Sequence, residues 1–432
     1  DADFSTEKTR TISFDGSITS QATSSHMLLA GIQGNWYGID VSDLSSVTSR
    51  TGGSITQYSA KPYEVGFYVQ DKMEFEGMIA NVGLRLDMYN ANVMYYSDTF
   101  APYRYTDSLG LQRVDERFAT KEKTPVVARL QPRAGFSFPV STETVFHVNY
   151  GTFLQRPPFI RIISQTVNRK ELYSYGGALS VVGTLGNPRL RPEVTSSYDI
   201  GATQALGAGF TLDISGYYKD VRDLLQQAIY SSKQGNYVTY INRDYADIRG
   251  FRVGFAKRSG MLTGTLNYTY GVSTGKNSSS DGNQVPTIYE SGPSKDPVPQ
   301  DILLDFDRTH NLVANVGFST PLEWGPVLFG AYPLERITIA VTSFARSGRP
   351  YSSRLNPGIL MNKRAPNEYN TNLKITKQVS RFFGASASFY LEVSNLFDTR
   401  IYDYTAVFNP DLNNTSNLSK WTVKYEKGED IT

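Results

Sequence analysis

The chain has 432 residues, no cysteine and a net charge of +2, from 43 basic and 41 acidic residues. The lack of cysteine excludes disulfides and thiolate metal sites, and the evenly spread charge includes no basic stripe of the kind that binds nucleic acid. Tyr and Phe are abundant, at 29 and 23 residues, yet no apolar run approaches the length of a transmembrane helix. This mixture is typical of strands that alternate between apolar and polar residues.

Such alternation follows the chain from its first residues to near its last. Successive side chains of a strand point to opposite faces, so each alternating segment has one apolar and one polar face. Short turns join most of the segments in pairs, as in β-hairpins. The predicted strands are 11–22 with 26–36, 62–74 with 78–90, 126–139 with 144–154, a hairpin within 186–219, 245–257 with 262–274, 309–319, 336–347, and 368–378 with 385–397.

Long polar loops separate these hairpins. We expect them at about 38–60, 91–124, 155–190, 220–240, 275–306, 348–366 and 403–432. About fourteen strands with short turns at one end and long loops at the other are the signature of a transmembrane barrel, because a soluble sandwich has shorter strands and no such asymmetry. The sequence therefore predicts an all-β, up-and-down antiparallel β-barrel, which must close because unpaired backbone is costly in lipid.

Several local motifs are familiar in this order and spacing. They are YVQDK at 68–72, NVGLRLD at 81–87, PRAGFS at 132–137, YGTF at 150–153, GNPRLRPE at 186–193 and SNLFD at 394–398. Over about residues 10–402 the chain resembles the barrel of TonB-dependent outer-membrane receptors. It is most similar to the large Bacteroidota type with a carboxypeptidase-regulatory-like N-terminal domain.

The resemblance implies a barrel of about twenty-two strands, closed by an N-terminal plug, that imports scarce nutrients with energy passed through TonB. We therefore expect residues 1–432 to form a partial barrel, with the plug and the last strand outside this sequence. The implied partners are the outer-membrane bilayer, an own or separate plug, TonB and a surface lipoprotein. The implied location is the bacterial outer membrane, crossed many times.

Two other functions stay open from the residues alone. The barrel could serve as a structural or interaction protein, such as an adhesin, a surface receptor or one part of an envelope complex. An enzyme barrel would need a compact catalytic cluster at its rim. The only local match is GVSTG at 271–275, and it ends a strand rather than forming the strand-to-helix turn of a nucleophile elbow. The three histidines are far apart in sequence, so we predict no catalytic, metal or cofactor site.

Candidate solute contacts fall into two groups. Arg85 and Asp87 lie on the polar face of a predicted strand and would line the lumen, as contacts for a plug or a solute or as a solvated wall. Arg156, Phe159, Tyr173 and Tyr175 belong to a loop that mixes cations with aromatic rings. That loop could grip a sugar or peptide, or cover the barrel opening.

Aromatic residues near strand ends are predicted to form an interfacial girdle, because amphipathic rings favour the headgroup level. The residues assigned to it are Tyr37, Tyr89, Tyr218, Tyr270 and Tyr402.

Overall fold

The computed structural model describes residues 4–45, 54–115, 117–163, 179–233, 235–276, 285–295, 301–353, 360–382, 385–402, 404, 408 and 424–427. Long antiparallel strands dominate these residues, which confirms the predicted all-β class. No described helix is long and apolar enough to cross a membrane.

Fourteen long strands, here called the barrel strands, carry the architecture. They are β1 (Phe4–Gln21), β2 (His26–Ser45), β3 (Tyr63–Phe75), β4 (Met78–Asn90), β5 (Val127–Pro139), β6 (Thr144–Gln155), β7 (Glu193–Gly207), β8 (Phe210–Ser232), β9 (Gly235–Lys257), β10 (Leu262–Gly275), β11 (His310–Ser319), β12 (Ile337–Arg346), β13 (Glu368–Phe382) and β14 (Ala385–Val393).

Each barrel strand pairs antiparallel with the next one along the chain, from β1 to β14. This is the up-and-down order that the sequence predicts. Among the described residues, no pairing joins β1 to β14. The fourteen strands therefore form a curved wall with two edges.

The wall has an apolar outer face and a polar inner face. On β1 the residues Ile12, Phe14 and Ile18 are 55–72% exposed although they are large and apolar. The same face continues through Val69 and Leu84 on the neighbouring strands. Exposed apolar side chains on so many adjacent strands are what a lipid-facing wall requires.

The turn between β3 and β4 is residues 76–77, and the turn between β7 and β8 is residues 208–209. Gly77 has a φ of 81°, which glycine adopts without strain, and this lets β3 reverse directly into β4. We call the end of the wall that carries these turns the short-turn end, and the opposite end the long-loop end.

Two of the predicted loops are wrong in secondary structure. Within 38–60, β2 continues to Ser45 and pairs with a short strand, Ser54–Ala60. Within 220–240, β8 continues to Ser232 and β9 begins at Gly235, so this region is a long hairpin. Both regions extend beyond the part of the wall whose outer face is apolar. A ladder in water needs no apolar face, so the alternation that marks strands in lipid is absent there.

The other predicted loops contain only short elements in their described parts. The short strands are Met94–Tyr96, Arg104–Thr106, Gln112–Val114, Lys121–Lys123, Leu179–Leu185, Thr287–Tyr289, Ile302–Leu303, Pro350–Tyr351 and Lys363–Arg364. One short helix, α1, spans Phe159–Ile163.

An apolar cluster packs at the long-loop end of the wall. Its buried members are Ile39, Tyr58, Ala60, Tyr89, Ala91, Ile162, Ile163, Leu190 and Leu225. Tyr89 is 8% exposed, and its hydroxyl donates to the Leu190 carbonyl at 3.1 Å. The prediction that Tyr89 belongs to the interfacial girdle is therefore wrong. Tyr89 lies two and four residues from Asp87 and Arg85 on the same strand, so all three side chains point to the inner face. The girdle prediction is also wrong for Tyr37, whose ring packs against Phe159 at 5.2 Å.

Candidate functional site

Two adjoining cavities lie along the inner face of β2 to β7. One has a volume of about 520 Å³ and the other about 330 Å³. Gln33, Arg85, Arg133 and Phe153 border both. The inner wall between them is the surface that a solute or a plug inside this barrel would touch.

Arg85 and Asp87 form an ion pair on this wall. Nη2 of Arg85 lies 2.8 Å from Oδ1 of Asp87, and its Nε also donates to the carboxylate at 2.9 Å. Nη1 of Arg85 donates to Gln33 at 2.9 Å, and the Gln131 amide donates to Asp87. The two charges therefore satisfy each other and two glutamines, so the pair offers little free charge to a ligand.

A glycine makes room for this pair. Gly66 faces Asp87 across the ladder between β3 and β4. A Cβ at Gly66 would clash with Nη2 of Arg85 and would lie 2.6 Å from Oδ1 of Asp87. The long polar side chains thus lie flat across the backbone of β3 instead of projecting into the lumen.

Two other arginines carry the free positive charge of this region. Arg129 and Arg133 are exposed on the inner face of β5. Neither forms an ion pair with any described residue, although the Arg133 guanidinium lies 4.7 Å from the ring centre of Phe153. A cation over an aromatic face remains available to an incoming anion.

Further along the wall, Asp199 accepts from Arg252 and lies close to His147. Nη2 of Arg252 lies 2.7 Å from Oδ2 of Asp199, and Nε2 of His147 lies 3.3 Å from Oδ1. As in the pair of Arg85 and Asp87, the charges of Arg252 and Asp199 offset each other.

Arg156 lies at the long-loop end of the wall. Its guanidinium donates to the Glu64 carboxylate and lies 3.5 Å from the ring centre of Phe159 on α1. Tyr37 completes the group, because its hydroxyl donates to Glu64 at 3.2 Å. Arg156 and Phe159 are therefore brought together, but their groups already bind each other and close off this part of the opening.

The remaining two candidates, Tyr173 and Tyr175, lie outside the described residues. Sequence reasoning missed Glu64, Gln33, Gln131 and Arg133 as wall residues. The alternation along β5 could have identified Gln131 and Arg133, because both occupy positions whose side chains point to the inner face. Their pairing with Arg85 and Asp87 depends on the register between strands, which alternation does not reveal.

The motif at 271–275 is part of β10 and not of a strand-to-helix turn. Ser273 is buried, and its N–H donates to the carboxylate of Asp307 at 2.7 Å. In the described part of the chain, no group of three or more His, Asp or Glu side chains is placed to hold a metal ion.

The carboxyl group of Asp244, which lies beyond the lipid-facing part of the wall, has a raised pKa. Asp244 pairs with Leu224 on the long hairpin of β8 and β9, well past Tyr218. Burial raises the pKa of Asp244 to about 6, although Lys276 and Arg243 oppose the shift. One of its carboxylate oxygens has no hydrogen-bond partner among the described residues.

The family model described as TonB dependent receptor-like, beta-barrel matches residues 2–396. The chain belongs to the TonB-dependent receptor-like β-barrel family. This confirms the predicted family, and the family places the barrel in the bacterial outer membrane. Its members are transporters and receptors.

Several solved structures share the fold at low sequence identity. The copper transporter OprC matches with 14% identity and a TM-score of 0.57, over 91% of this chain and 52% of its own. The FrpB iron transporter from Neisseria meningitidis matches with 12% identity and a TM-score of 0.55, over 91% and 52%.

A third structure is a double mutant of the Serratia marcescens hemophore receptor HasR, in complex with its hemophore HasA and heme. It matches with 14% identity and a TM-score of 0.56, over 91% of this chain and 56% of its own. The chain thus spans about half the length of the solved structures it matches.

Proposed function

We propose that the protein is a TonB-dependent active transporter of the outer membrane that takes up a scarce or large solute. The observation that carries the proposal is the two-faced wall of a chain that belongs to this family. Fourteen consecutive barrel strands turn apolar side chains outward and polar side chains inward, and charged side chains gather on the inner face of β4 to β9. A polar and partly charged inner surface suits a passage for polar material.

The free cations of the wall favour an anionic solute. Arg129 and Arg133 lack acidic partners among the described residues, whereas Arg85 and Arg156 are neutralised by Asp87 and Glu64. OprC, FrpB and HasR are named for copper, iron and heme. By analogy, we propose a metal complex with carboxylate or catecholate groups as the cargo.

In this proposal the candidate contacts have different roles. Arg85 and Asp87 hold the shape of the wall, and Arg133 with Phe153 touches the solute or the plug. Arg156 and Phe159 cover the opening, and Tyr173 and Tyr175 belong to the loop that captures solute. A plug and TonB are the partners that uptake requires, and a surface lipoprotein is a further one suggested by the Bacteroidota-type motifs.

We also propose that residues 1–432 are one part of a barrel of about twenty-two strands, the size of plugged outer-membrane transporters. The described strand count and the half-length match to solved structures support this. The motif resemblance supports a carboxypeptidase-regulatory-like domain in the whole protein. A role in transport rather than in enzyme catalysis is part of the same proposal.

Intact mass spectrometry of the protein extracted from its own outer membrane is the first test. A plugged importer predicts a mass of roughly twice the 48.1 kDa of this chain, because the chain spans about half of the structures it matches. A mass near 48.1 kDa would contradict the proposal, since it leaves no residues for the remaining strands of a barrel of about twenty-two strands.

Uptake is the second test, in cells that carry or lack the full-length protein. The probes are a ferric catecholate complex, heme and Cu(II). We expect at least one probe to accumulate roughly tenfold faster with the protein, since steering by the charged wall raises on-rates by at least this factor. A protonophore should abolish the difference. Accumulation that survives the protonophore would indicate a passive pore.

A further inference from the structure

One connection at the short-turn end differs from all the others there. The described turns between the other barrel strands are short, whereas residues 320–336 separate β11 from β12. The Ser319 N–H donates to the Met261 carbonyl at 2.8 Å, so this segment starts beside the turn that joins β9 to β10. We call residues 320–336 the long turn.

The long turn is apolar and exposed at the same time. Its eleven central residues, 324–334, include no charged side chain. Val327 and Leu328 are 54% and 53% exposed, and Phe329 is fully exposed. A contiguous apolar patch of this kind on a protein surface marks a contact with a partner or a membrane.

The patch is held in a defined shape. Leu328 and Ala331 exchange backbone hydrogen bonds of 2.9 and 3.0 Å, which makes a small hairpin tip. Phe329 and Gly330 form its two central positions, with φ of 53° and 78°. A bulky residue at positive φ is unusual and costs free energy. Here that conformation points a phenyl ring away from the protein.

The direction of the long turn is set by Trp324. Its ring packs edge-on against Phe318, with centroids 6.2 Å apart. Phe318 belongs to the outer face of β11, together with Val316, which is 45% exposed. The turn therefore leans over the lipid-facing side of the wall and away from the lumen, where a plug would lie.

Charge is segregated along the same direction. The acidic and basic residues of the long turn, Glu323, Glu335 and Arg336, all lie at its base. There the Glu323 N–H donates to Glu335 at 3.0 Å, and the Thr320 hydroxyl donates to the Leu334 carbonyl at 2.6 Å. A charged base, a tryptophan and an apolar tip follow the polarity gradient of a membrane interface.

We propose that residues 324–334 are a membrane anchor that enters the lipid leaflet at the short-turn end of the barrel. Its partner is the lipid surface, reached by Val327, Leu328 and Phe329, with Trp324 at the headgroup level. The inference rests on the outer-membrane placement of the barrel and on no property of the transported solute.

These 432 residues contain no cysteine, and any cysteine in the rest of the full-length protein is first replaced by serine, so that a label attaches at one chosen site. A nitroxide spin label is attached to Phe329→Cys in the full-length protein, reconstituted in phospholipid vesicles. Its collision rates with oxygen, which concentrates in lipid, and with a water-soluble nickel chelate are measured. Two reference sites are labelled in parallel. Val316→Cys reports the lipid-facing wall, and Thr142→Cys reports an exposed polar turn at the same end.

We expect the label at position 329 to follow Val316→Cys, with oxygen collisions dominant. A label dominated by the nickel chelate, as at Thr142→Cys, would overturn the anchor. A label shielded from both reagents would also overturn it, because protein and not lipid would then cover the tip. Leu328→Cys repeats the measurement should the substitution at 329 disturb the tip. If Val316→Cys is itself water-accessible, the membrane placement fails and the anchor fails with it.

Discussion

Nη2 of Arg364 lies 2.6 Å from Oδ1 of Asp307, and the Asp307 side chain is completely shielded from solvent. The same carboxylate accepts from the Ser273 N–H and from the Thr309 hydroxyl, at 2.7 and 3.0 Å. Arg364 is part of the predicted loop 348–366, whereas Ser273 is part of β10. One buried carboxylate therefore fastens a loop to the wall at the long-loop end.

Removing the cation of this contact should be costly. In Arg364→Met, Asp307 keeps its charge and its burial but loses its ionic partner. Loss of one member of a buried pair costs about 3–5 kcal/mol, and because Arg364 is itself 31% exposed we expect about 3 kcal/mol. Urea unfolding in vesicles measures the change. Lys374→Met is the control, since its pair with Glu392 is about half exposed and its loss should stay within about 1 kcal/mol. Equal losses in the two variants would contradict the buried role of Asp307.

Filling the space at Gly66 should disturb the wall. Gly66→Leu would push its side chain into Arg85 and Asp87, and overpacking of this kind costs about 1–3 kcal/mol. Gly216→Leu is a matched control on the outer face, because a Cβ there meets nothing closer than 3.9 Å. We expect the unfolding free energy of Gly216→Leu to stay within about 0.5 kcal/mol of the wild type. A larger loss at Gly216 than at Gly66 would reverse the assignment of faces.

Arg156 should act through Glu64. Arg156→Met leaves a half-buried carboxylate with only the Tyr37 hydroxyl as a side-chain donor, which we expect to cost about 1–3 kcal/mol of unfolding free energy. Glu64→Gln in the same chain removes the stranded charge, so the double variant should recover roughly half of the loss. A double variant that is no more stable than Arg156→Met would show that the stranded Glu64 charge is not the source of the loss, and would leave the lost stacking on Phe159 as its source.

Arg133 should matter for transport and little for stability. It is exposed and makes no ion pair with the described residues, so Arg133→Gln should unfold within about 0.5 kcal/mol of the wild type. The protonophore-sensitive uptake of an anionic probe should fall by roughly tenfold at low salt and by less at high salt. Arg222→Gln is the control, because that arginine is paired with Asp220 at 2.5 Å outside the lumen. Uptake that is equal in both variants would remove Arg133 from the solute path.

Asp244 should make stability fall with rising pH. Burial raises the pKa of this carboxyl to about 6 in the folded protein, above the roughly 3.9 of an unfolded chain. The folded state therefore binds more protons between about pH 4 and pH 6, and folding loses up to about 1.4 kcal/mol per pH unit as pH rises through this window. The Asp244→Asn variant has no titrating carboxyl group at this position, so its stability lacks this pH dependence.

Thermal unfolding at pH 4.5, 5.5 and 6.5 measures this dependence. The wild type should lose stability relative to Asp244→Asn at each step. A constant difference between the two proteins would show that Asp244 is solvated in the folded state.

The sequence by itself determined the class of fold, the family and the order of the strands. In a membrane-spanning strand, every second side chain faces lipid and must be apolar. Residues such as Ile12, Phe14 and Ile18 therefore identify a strand from the local sequence alone, whichever strands lie beside it. Where the sheet extends beyond the membrane, as in the hairpin of β8 and β9, both of its faces contact water and neither face needs apolar side chains. The periodic signal disappears there, although the ladder continues.

Only the tertiary structure decided which polar groups meet. Arg85 and Asp87 share a face by parity, but their neutralisation by Gln33 and Gln131 depends on the register of four strands and on the missing side chain of Gly66. The same holds for Arg364, which reaches Asp307 across 57 residues, and for Trp324, whose packing on Phe318 directs an apolar turn outward. Strand period is a local property of the backbone. Register and side-chain partners are set by the packing of segments distant in sequence, which no local pattern contains.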